Sequence, residues 1–216
     1  MTAMVTASNL WLFVVASVLL IVIPGPSVLF VIGRALALGR VGGLLSVLGN
    51  ALGMLPLVAA VALGVGAVVA SSIVLFTAIK IVGGLYLVYL GVQAIRHRSE
   101  TSVSVNRLAV TSRSPERVLA EGFFVGVTNP KTIAFFVAVL PQFVSLESGS
   151  VPFQMAVLGT IFVALALVFD SLWALAAGSA REWFGRAPHR AERLGAAGGV
   201  MLICLGGALA LSGNRH

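Results

Sequence analysis

The sequence predicts an all-α integral membrane protein with about six transmembrane helices, arranged as two inverted three-helix repeats whose first helices are broken. Three observations support this prediction. Of the 216 residues, 59% are hydrophobic and only 10% are charged, with a mean hydropathy of +1.06, so the polar surface is too small to cover a water-soluble globule. Six apolar runs are long enough to cross a bilayer, and the first run of each half contains proline.

Six segments satisfy the length requirement for a transmembrane helix, which is about 20 mainly apolar residues. They are, approximately, residues 9–32, 43–66, 72–95, 118–144, 152–179 and 194–212. These runs are longer and more uniformly apolar than the alternating strands of a membrane barrel, so we expect helices. The first run exceeds the length of a signal peptide and has no basic start, so we interpret it as the first span.

Arginines outside the predicted spans indicate how the chain is oriented. Eleven follow the odd-numbered spans and one lies in the tail: Arg34, Arg40, Arg96, Arg98, Arg107, Arg113, Arg117, Arg181, Arg186, Arg190 and Arg193, against Arg215. The positive-inside rule therefore predicts cytoplasmic odd-numbered loops and both termini outside.

The chain is predicted to form one transmembrane domain, residues 1–216, in which two repeats are joined by a linker. Residues 96–117 are polar and lack an apolar period, so we expect a cytoplasmic linker between repeat one, about 9–95, and repeat two, about 118–212. Short stretches of the two repeats correspond in order and spacing. They are residues 83–91 with 198–206, 47–50 with 157–160, and Pro24 and Pro26 with Pro130.

An odd number of spans per repeat means that the second repeat enters the membrane in the opposite orientation. Inverted repeats with broken helices are typical of secondary transporters, whose substrate sites lie near the membrane midplane where the breaks meet. Chance similarity between segments rich in Gly and Leu is the alternative interpretation.

The first predicted break is Pro24-Gly25-Pro26 within span 1. Two prolines remove two backbone N–H donors and clash with preceding carbonyls, and in lipid the freed carbonyls find partners only in protein or in a wet cavity. The motif therefore predicts a cavity wall that contributes to a substrate site. A kink used only for packing is the alternative.

The second predicted break is Asn129-Pro130-Lys131 within span 4. A lysine at this depth is unfavourable unless it is paired or hydrated, so we expect Lys131 to face the interior and offer its charge to a substrate carboxylate. Asn129 and freed carbonyls could hold an ammonium group, and Asn50 of span 2 could line the same cavity or bond across helices. Snorkelling or structural pairing of Lys131 is the alternative.

Asp170 is the one acid well inside a span, and we interpret it as the proton carrier. A salt bridge to Lys131 or Lys80 is the competing structural interpretation. Glu121 lies nearer the cytoplasmic end of span 4, and Lys80 has no motif around it. For both of these residues, functional and structural roles stay open.

Close helix packing is predicted at two GxxxG pairs, Gly49 with Gly53 and Gly122 with Gly126. Small residues at this spacing let two membrane helices approach each other.

The soluble enzyme motifs are missing from the sequence, including the P-loop, HExxH, the dinucleotide fingerprint and GxSxG. The three histidines lie in predicted loops or the tail, and a single cysteine, Cys204, cannot form a disulfide or a thiolate cluster. We therefore expect no enzymatic activity, no cofactor and no metal site. The bases do not form a basic face with interleaved aromatics, so we expect no nucleic-acid partner.

Several motifs resemble those of the LysE/RhtB family of amino-acid exporters, in particular its homoserine/threonine branch. They are Pro24-Gly25-Pro26, Gly39-Arg40, Gly42-Gly43, residues 83–91 with Gln93 and Arg96, Asn129-Pro130-Lys131, and Leu140-Pro141-Gln142-Phe143. The resemblance implies export of amino acids or derivatives of the threonine, homoserine or lysine type by proton exchange. It also implies a bacterial cytoplasmic (inner) membrane, contact with its lipid, and a homodimer.

An exporter of a metal cation or another small solute is the alternative function. Such a site would need several carboxylate, His or Cys ligands at depth, and one aspartate with one cysteine is too few.

Overall fold

The computed structural model describes residues 7–71, 73–96, 114–146 and 149–179, together with positions 196, 200, 203, 204 and 207. Its helices are α1 (Ala7–Val22), α2 (Pro26–Ser71), α3 (Ile73–Arg96), α4 (Pro115–Thr128), α5 (Pro130–Ala134) and α6 (Val151–Ser179). Helix α5 continues into a π-helical turn, Phe135–Val139, and a 3-10 turn, Leu140–Phe143. Each regular element in the described ranges is helical, which confirms the predicted all-α class.

Helix α2 contains a sharp reversal at Gly39. This residue has φ 77° and ψ −174°, a conformation that glycine adopts far more readily than other residues. A Cβ on Gly43 would lie 2.7 Å from the Cβ of Ala35, although eight residues of straight helix would separate the two positions by about 12 Å. The chain therefore folds back, and α2 consists of a first limb, residues 26–38, and a second limb, residues 40–71.

The second limb of α2 packs against α4 through the two predicted GxxxG pairs. A Cβ on Gly49 would lie 2.2 Å from the Leu119 carbonyl oxygen, and one on Gly126 would lie 2.2 Å from the Asn50 carbonyl oxygen. Gly53 and Gly122 make similarly close backbone contacts. The four glycines form one seam, defined as Gly49, Gly53, Gly122 and Gly126, and their predicted packing role is confirmed.

Aromatic side chains fill the space where α1, the π-helical turn and α6 meet. Phe13, Phe135, Phe136 and Phe162 are all almost fully buried. The rings of Phe136 and Phe162 meet edge to face at 4.9 Å between centroids, within the range that favours aromatic pairs. This cluster fixes α5 and its π-helical turn against α6, and thereby positions the second helix break.

By length and composition, three described segments are long and apolar enough to cross a membrane: Pro26–Gly64, which includes the reversal at Gly39, Pro115–Phe143 and Val151–Ser179. Two shorter apolar helices are Ala7–Val22 and Thr77–Leu90. Large apolar side chains cover the outer surface, among them Trp11, Leu63 and Val74. The protein is therefore a multi-pass membrane protein, as predicted. The sixth predicted span, about 194–212, and most of the predicted linker lie outside the described residues, so the inverted repeat remains a prediction.

Candidate functional site

The first helix break separates α1 from α2 at residues 23–25. In a continuous helix the carbonyl of Leu20 would accept the N–H of residue 24, but Pro24 has no N–H. The carbonyl of Ile23 lies within the break itself. Both residues are buried, so these carbonyls need donors from elsewhere in the protein.

The second helix break separates α4 from α5 at Asn129, whose backbone is extended with φ −65° and ψ 109°. The Asn129 side-chain oxygen accepts the N–H of Lys131 at 3.1 Å and so caps the new helix. The Asn129 Nδ2 donates to the Ser27 hydroxyl at 2.9 Å, in the first turn of α2. The two breaks, predicted separately from their prolines, therefore meet.

Lys131 spans the junction between the breaks. Its ammonium group donates to the carbonyl oxygens of Leu20 at 3.0 Å and Ile23 at 2.8 Å, and the residue is only 4% exposed. A Cβ on Gly25 would lie 3.0 Å from Lys131 Nζ, so the bare glycine makes room for this contact. The lysine does not snorkel, because its partners are buried carbonyls at the first break.

Asp170 of α6 faces the same junction and is 3% exposed. The Asn50 side chain of α2 donates to Asp170 Oδ2 at 3.1 Å. Among the described residues, Asp170 forms no ion pair with Lys131 within salt-bridge distance, although their charges interact. The side chain of Lys80 lies outside the described part of the structure.

A small cavity lies between the two charged side chains. Its walls include Ser27, Met54, Lys131, Thr132, Phe162 and Asp170. Its volume is about 10 Å³, on a scale on which about 10–15 Å³ accommodates one water molecule. An amino acid does not fit into this space, so the junction is closed in this conformation.

A larger cavity, of about 350 Å³, lies between α3 and α5. Its walls are apolar and include Ile79, Val82, Ile133 and Val137. It lacks the convergent polar groups that orient a charged ligand. The polar junction is therefore the better candidate for a substrate site, despite its small volume.

The structure thus brings together most of the residues that the sequence predicts for the site. Asn50, Asn129, Lys131 and Asp170 lie at the junction, Gly25 contacts Lys131, and the three prolines form the breaks. Ser27 and Thr132 are additional cavity residues that sequence reasoning did not assign to the site. The sequence feature that could have identified them is a small hydroxyl residue immediately after each proline motif.

A second ionic cluster joins the first limb of α2 to α4. Arg34 pairs with Glu121, and Arg117 also donates to Glu121, at 3.3 Å. The prediction that Arg34 lies in a loop is wrong, because Arg34 is 1% exposed and belongs to the helix that continues to the Gly39 reversal. Its guanidinium also lies 5.2 Å from the centroid of the Phe30 ring.

Comparison with known proteins is consistent with this architecture. The family described as LysE type translocator matches residues 18–213. An uncharacterized membrane protein of Vibrio cholerae is 31% identical over 204 residues, which cover 94% of this chain and 97% of that protein.

Two Salmonella typhimurium proteins are also similar. The homoserine/homoserine lactone efflux protein is 28% identical over 204 residues, which cover 94% of this chain and 96% of its own. The leucine efflux protein is 26% identical over 178 residues, which cover 82% of each chain. No solved structure matches the chain.

Proposed function

Since this chain belongs to the family of LysE type translocators, we propose that it exports an amino acid or a close derivative from the cytoplasm in exchange for protons. The observation that carries the proposal is the junction of the two helix breaks, where one buried ammonium group and one buried carboxyl group face a common cavity. Charged groups at membrane depth are unfavourable unless they are paired or hydrated, and where they occur they commonly mark substrate and proton pathways.

A zwitterion is the substrate class that suits these groups. An amino acid carries a carboxylate for Lys131, and its ammonium group can bond to the oxygens of Asn129 and the freed carbonyls. The relatives named above are efflux proteins for leucine and for homoserine and its lactone. These compounds share a primary ammonium group, and two of the three also carry a free carboxylate.

Asp170 is proposed to carry the exchanged proton. The Asn50 amide can serve both of its protonation states, because Nδ2 donates to a carboxylate and Oδ1 can accept from a protonated carboxyl. In the described structure Nδ2 bonds Asp170 at 3.1 Å, and Oδ1 is buried without a hydrogen bond. A carboxyl group with partners in both states can load and release a proton at little energetic penalty.

The proposed setting is a bacterial cytoplasmic membrane, with cytoplasmic odd-numbered loops, both termini outside, and a homodimer as the assembly. After the buried Arg34 is removed from the count, ten arginines follow odd-numbered spans and one, Arg215, lies in the tail. The bias still supports this orientation.

An efflux assay in cells that lack their own amino-acid exporters tests the proposed function. The cells are loaded with amino acids through dipeptides, and release is measured with and without an uncoupler. We expect uncoupler-sensitive release of at least one amino acid. Lys131→Ala and Asp170→Asn should abolish release at unchanged protein level, whereas Ser171→Ala should not, because the Ser171 hydroxyl bonds only to the Leu167 carbonyl of its own helix.

Full activity of both site variants would contradict the proposed mechanism. Absence of amino-acid release from cells that contain the protein in their membrane would contradict the substrate class, and would favour the export of another small solute or a metal cation.

A further inference from the structure

Two backbone carbonyls at the first helix break share one ammonium group. Lys131 Nζ donates to Leu20 O at 3.0 Å and to Ile23 O at 2.8 Å. We propose that these carbonyls form an ammonium subsite, which Lys131 fills in the empty transporter and which the ammonium group of the substrate fills during transport. The inference rests on the proposed function, because it places substrate at the helix breaks.

The carbonyls require a donor in every state of the transporter. Leu20 and Ile23 are almost fully buried, and Pro24 withholds the N–H that would otherwise bond to Leu20. A buried carbonyl that is left without a donor destabilises the protein, because it has lost its hydrogen bonds to water. A primary ammonium group suits the pair of carbonyls, since it offers three N–H donors and no acceptor.

Space at the subsite permits one ammonium group at a time. The adjoining cavity has room for about one water molecule, and a Cβ on Gly25 would already lie 3.0 Å from Lys131 Nζ. A ligand reaches the carbonyls only after the Lys131 ammonium leaves them. The four methylene groups of lysine allow this movement without a change in the backbone.

Charge determines where the displaced Lys131 goes. Two ammonium groups side by side in a buried site repel each other, so Lys131 needs an anionic partner as it leaves. The carboxylate of a zwitterion supplies one, and Asp170 lies on the same cavity. Binding then exchanges the partners of Lys131, and the recognised class is compounds with a primary ammonium group. Quaternary amines, which lack N–H donors, are excluded.

Chemical rescue of Lys131→Ala tests the subsite. The probe is n-propylammonium, which replaces the side-chain atoms that the substitution removes. Added to the purified full chain in detergent, it should raise the melting temperature of Lys131→Ala in a saturable way, while tetramethylammonium should not. Met54→Ala enlarges the same cavity but keeps Lys131, so the added ammonium must first displace Lys131 and the rise should be smaller. Absence of a rise, or an equal rise with both cations, would overturn the proposal.

Acetylation of the wild-type protein provides a second measurement that does not depend on the folding of a variant. The chain contains only two lysines, Lys80 and Lys131, so mass spectrometry resolves them. An added amine consumes part of the acetylating reagent and lowers the labelling of both lysines by the same factor, so the ratio of the two labelling levels is unaffected by this loss. We expect n-propylammonium to increase the Lys131 to Lys80 ratio and propanoate to leave it unchanged. An unchanged ratio with n-propylammonium, or an equal increase with propanoate, contradicts displacement.

Failure of the subsite and failure of the proposed function give different results. If n-propylammonium stabilises Lys131→Ala and exposes Lys131 to acetylation, but cells release no amino acid, the ammonium subsite is supported and the proposed amino-acid export is rejected. Amino-acid release with neither rescue nor displacement would retain the exporter and reject the subsite.

Discussion

Asn129 and Ser27 hydrogen-bond to each other at 2.9 Å although 102 residues separate them in the chain. Each follows or precedes a proline at a helix break, so this contact joins the two breaks directly. The same Asn129 side chain caps α5 through the N–H of Lys131. One amide thus positions both the second break and the residue that reaches across to the first.

Replacement of Asn129 with alanine should destabilise the protein and reduce export. Loss of the cap accounts for about 1 kcal/mol, and loss of the bond to Ser27 for about 1 kcal/mol more. Thermal unfolding in detergent measures the change. The neighbouring Thr128→Ala is the matched control, because the Thr128 hydroxyl is exposed and bonds only to Phe124 of its own helix. Equal stability of the two variants would contradict the conclusion that the Asn129 side chain stabilises the contact between the two helix breaks.

Replacement of Asn50 with alanine should slow export, because the buried Asp170 carboxylate loses its donor. A hydrogen bond to a charged group contributes about 1.5–3 kcal/mol, so we expect at least about a tenfold decrease in rate. Thr160 is the control, since it corresponds to Asn50 in the predicted repeat but is exposed and bonds to Ala156. A similar decrease for Thr160→Ala would argue against a specific role of Asn50.

Replacement of Gly25 with alanine should reduce export without preventing folding. The added Cβ would lie 3.0–3.1 Å from the outer atoms of the Lys131 side chain, which can shift by a few tenths of an ångström because they are flexible. Efflux and melting temperature, measured on the same variant, distinguish an effect on export from an effect on folding. Wild-type efflux in Gly25→Ala would show that the position of the Lys131 ammonium does not matter.

Replacement of Gly49 with alanine should destabilise the protein by about 3 kcal/mol, because the new Cβ would lie 2.2 Å from a backbone oxygen of α4. Gly64→Ala lies on the same limb and meets nothing within 4 Å, so it should be neutral or stabilising by up to about 1 kcal/mol. Melting temperatures and membrane expression report the difference. Tolerance of alanine at both positions would exclude close packing at the seam.

Replacement of Glu121 with glutamine should destabilise the protein by about 1–3 kcal/mol, because it weakens the carboxylate pairing of the buried Arg34. Arg117→Gln tests the exposed partner of the same carboxylate. The Arg117 side chain is 69% exposed, so its loss should change stability by about 0.5 kcal/mol or less. Denaturant unfolding of the two variants compares them. The reverse order of effects would show that the pair with Arg34 contributes little.

The sequence predicted the positions of the breaks, since proline removes a backbone donor wherever it lies in a helix. It could not predict that the Lys131 ammonium bonds to Leu20, because that contact crosses 111 residues and depends on the packing of three helices. It predicted a seam of glycines for a related local reason, as GxxxG spacing places small residues on one helix face.

Arg34 shows where local patterns fail. An arginine at the end of an apolar run has the sequence signature of a loop, but the reversal at Gly39 extends the helix beyond it and Glu121 of α4 pairs with it. Asn50 and Thr160 show a second limit. Their motifs correspond in sequence, yet Asn50 is buried and Thr160 is exposed, because similarity along a helix does not fix the direction in which a face points.

The small volume of the cavity between Lys131 and Asp170 also limits the leakage of protons through the junction. Protons cross a bilayer along continuous files of water molecules, and a space for about one water cannot support such a file. In this conformation the junction therefore offers protons no continuous path of water past these two side chains.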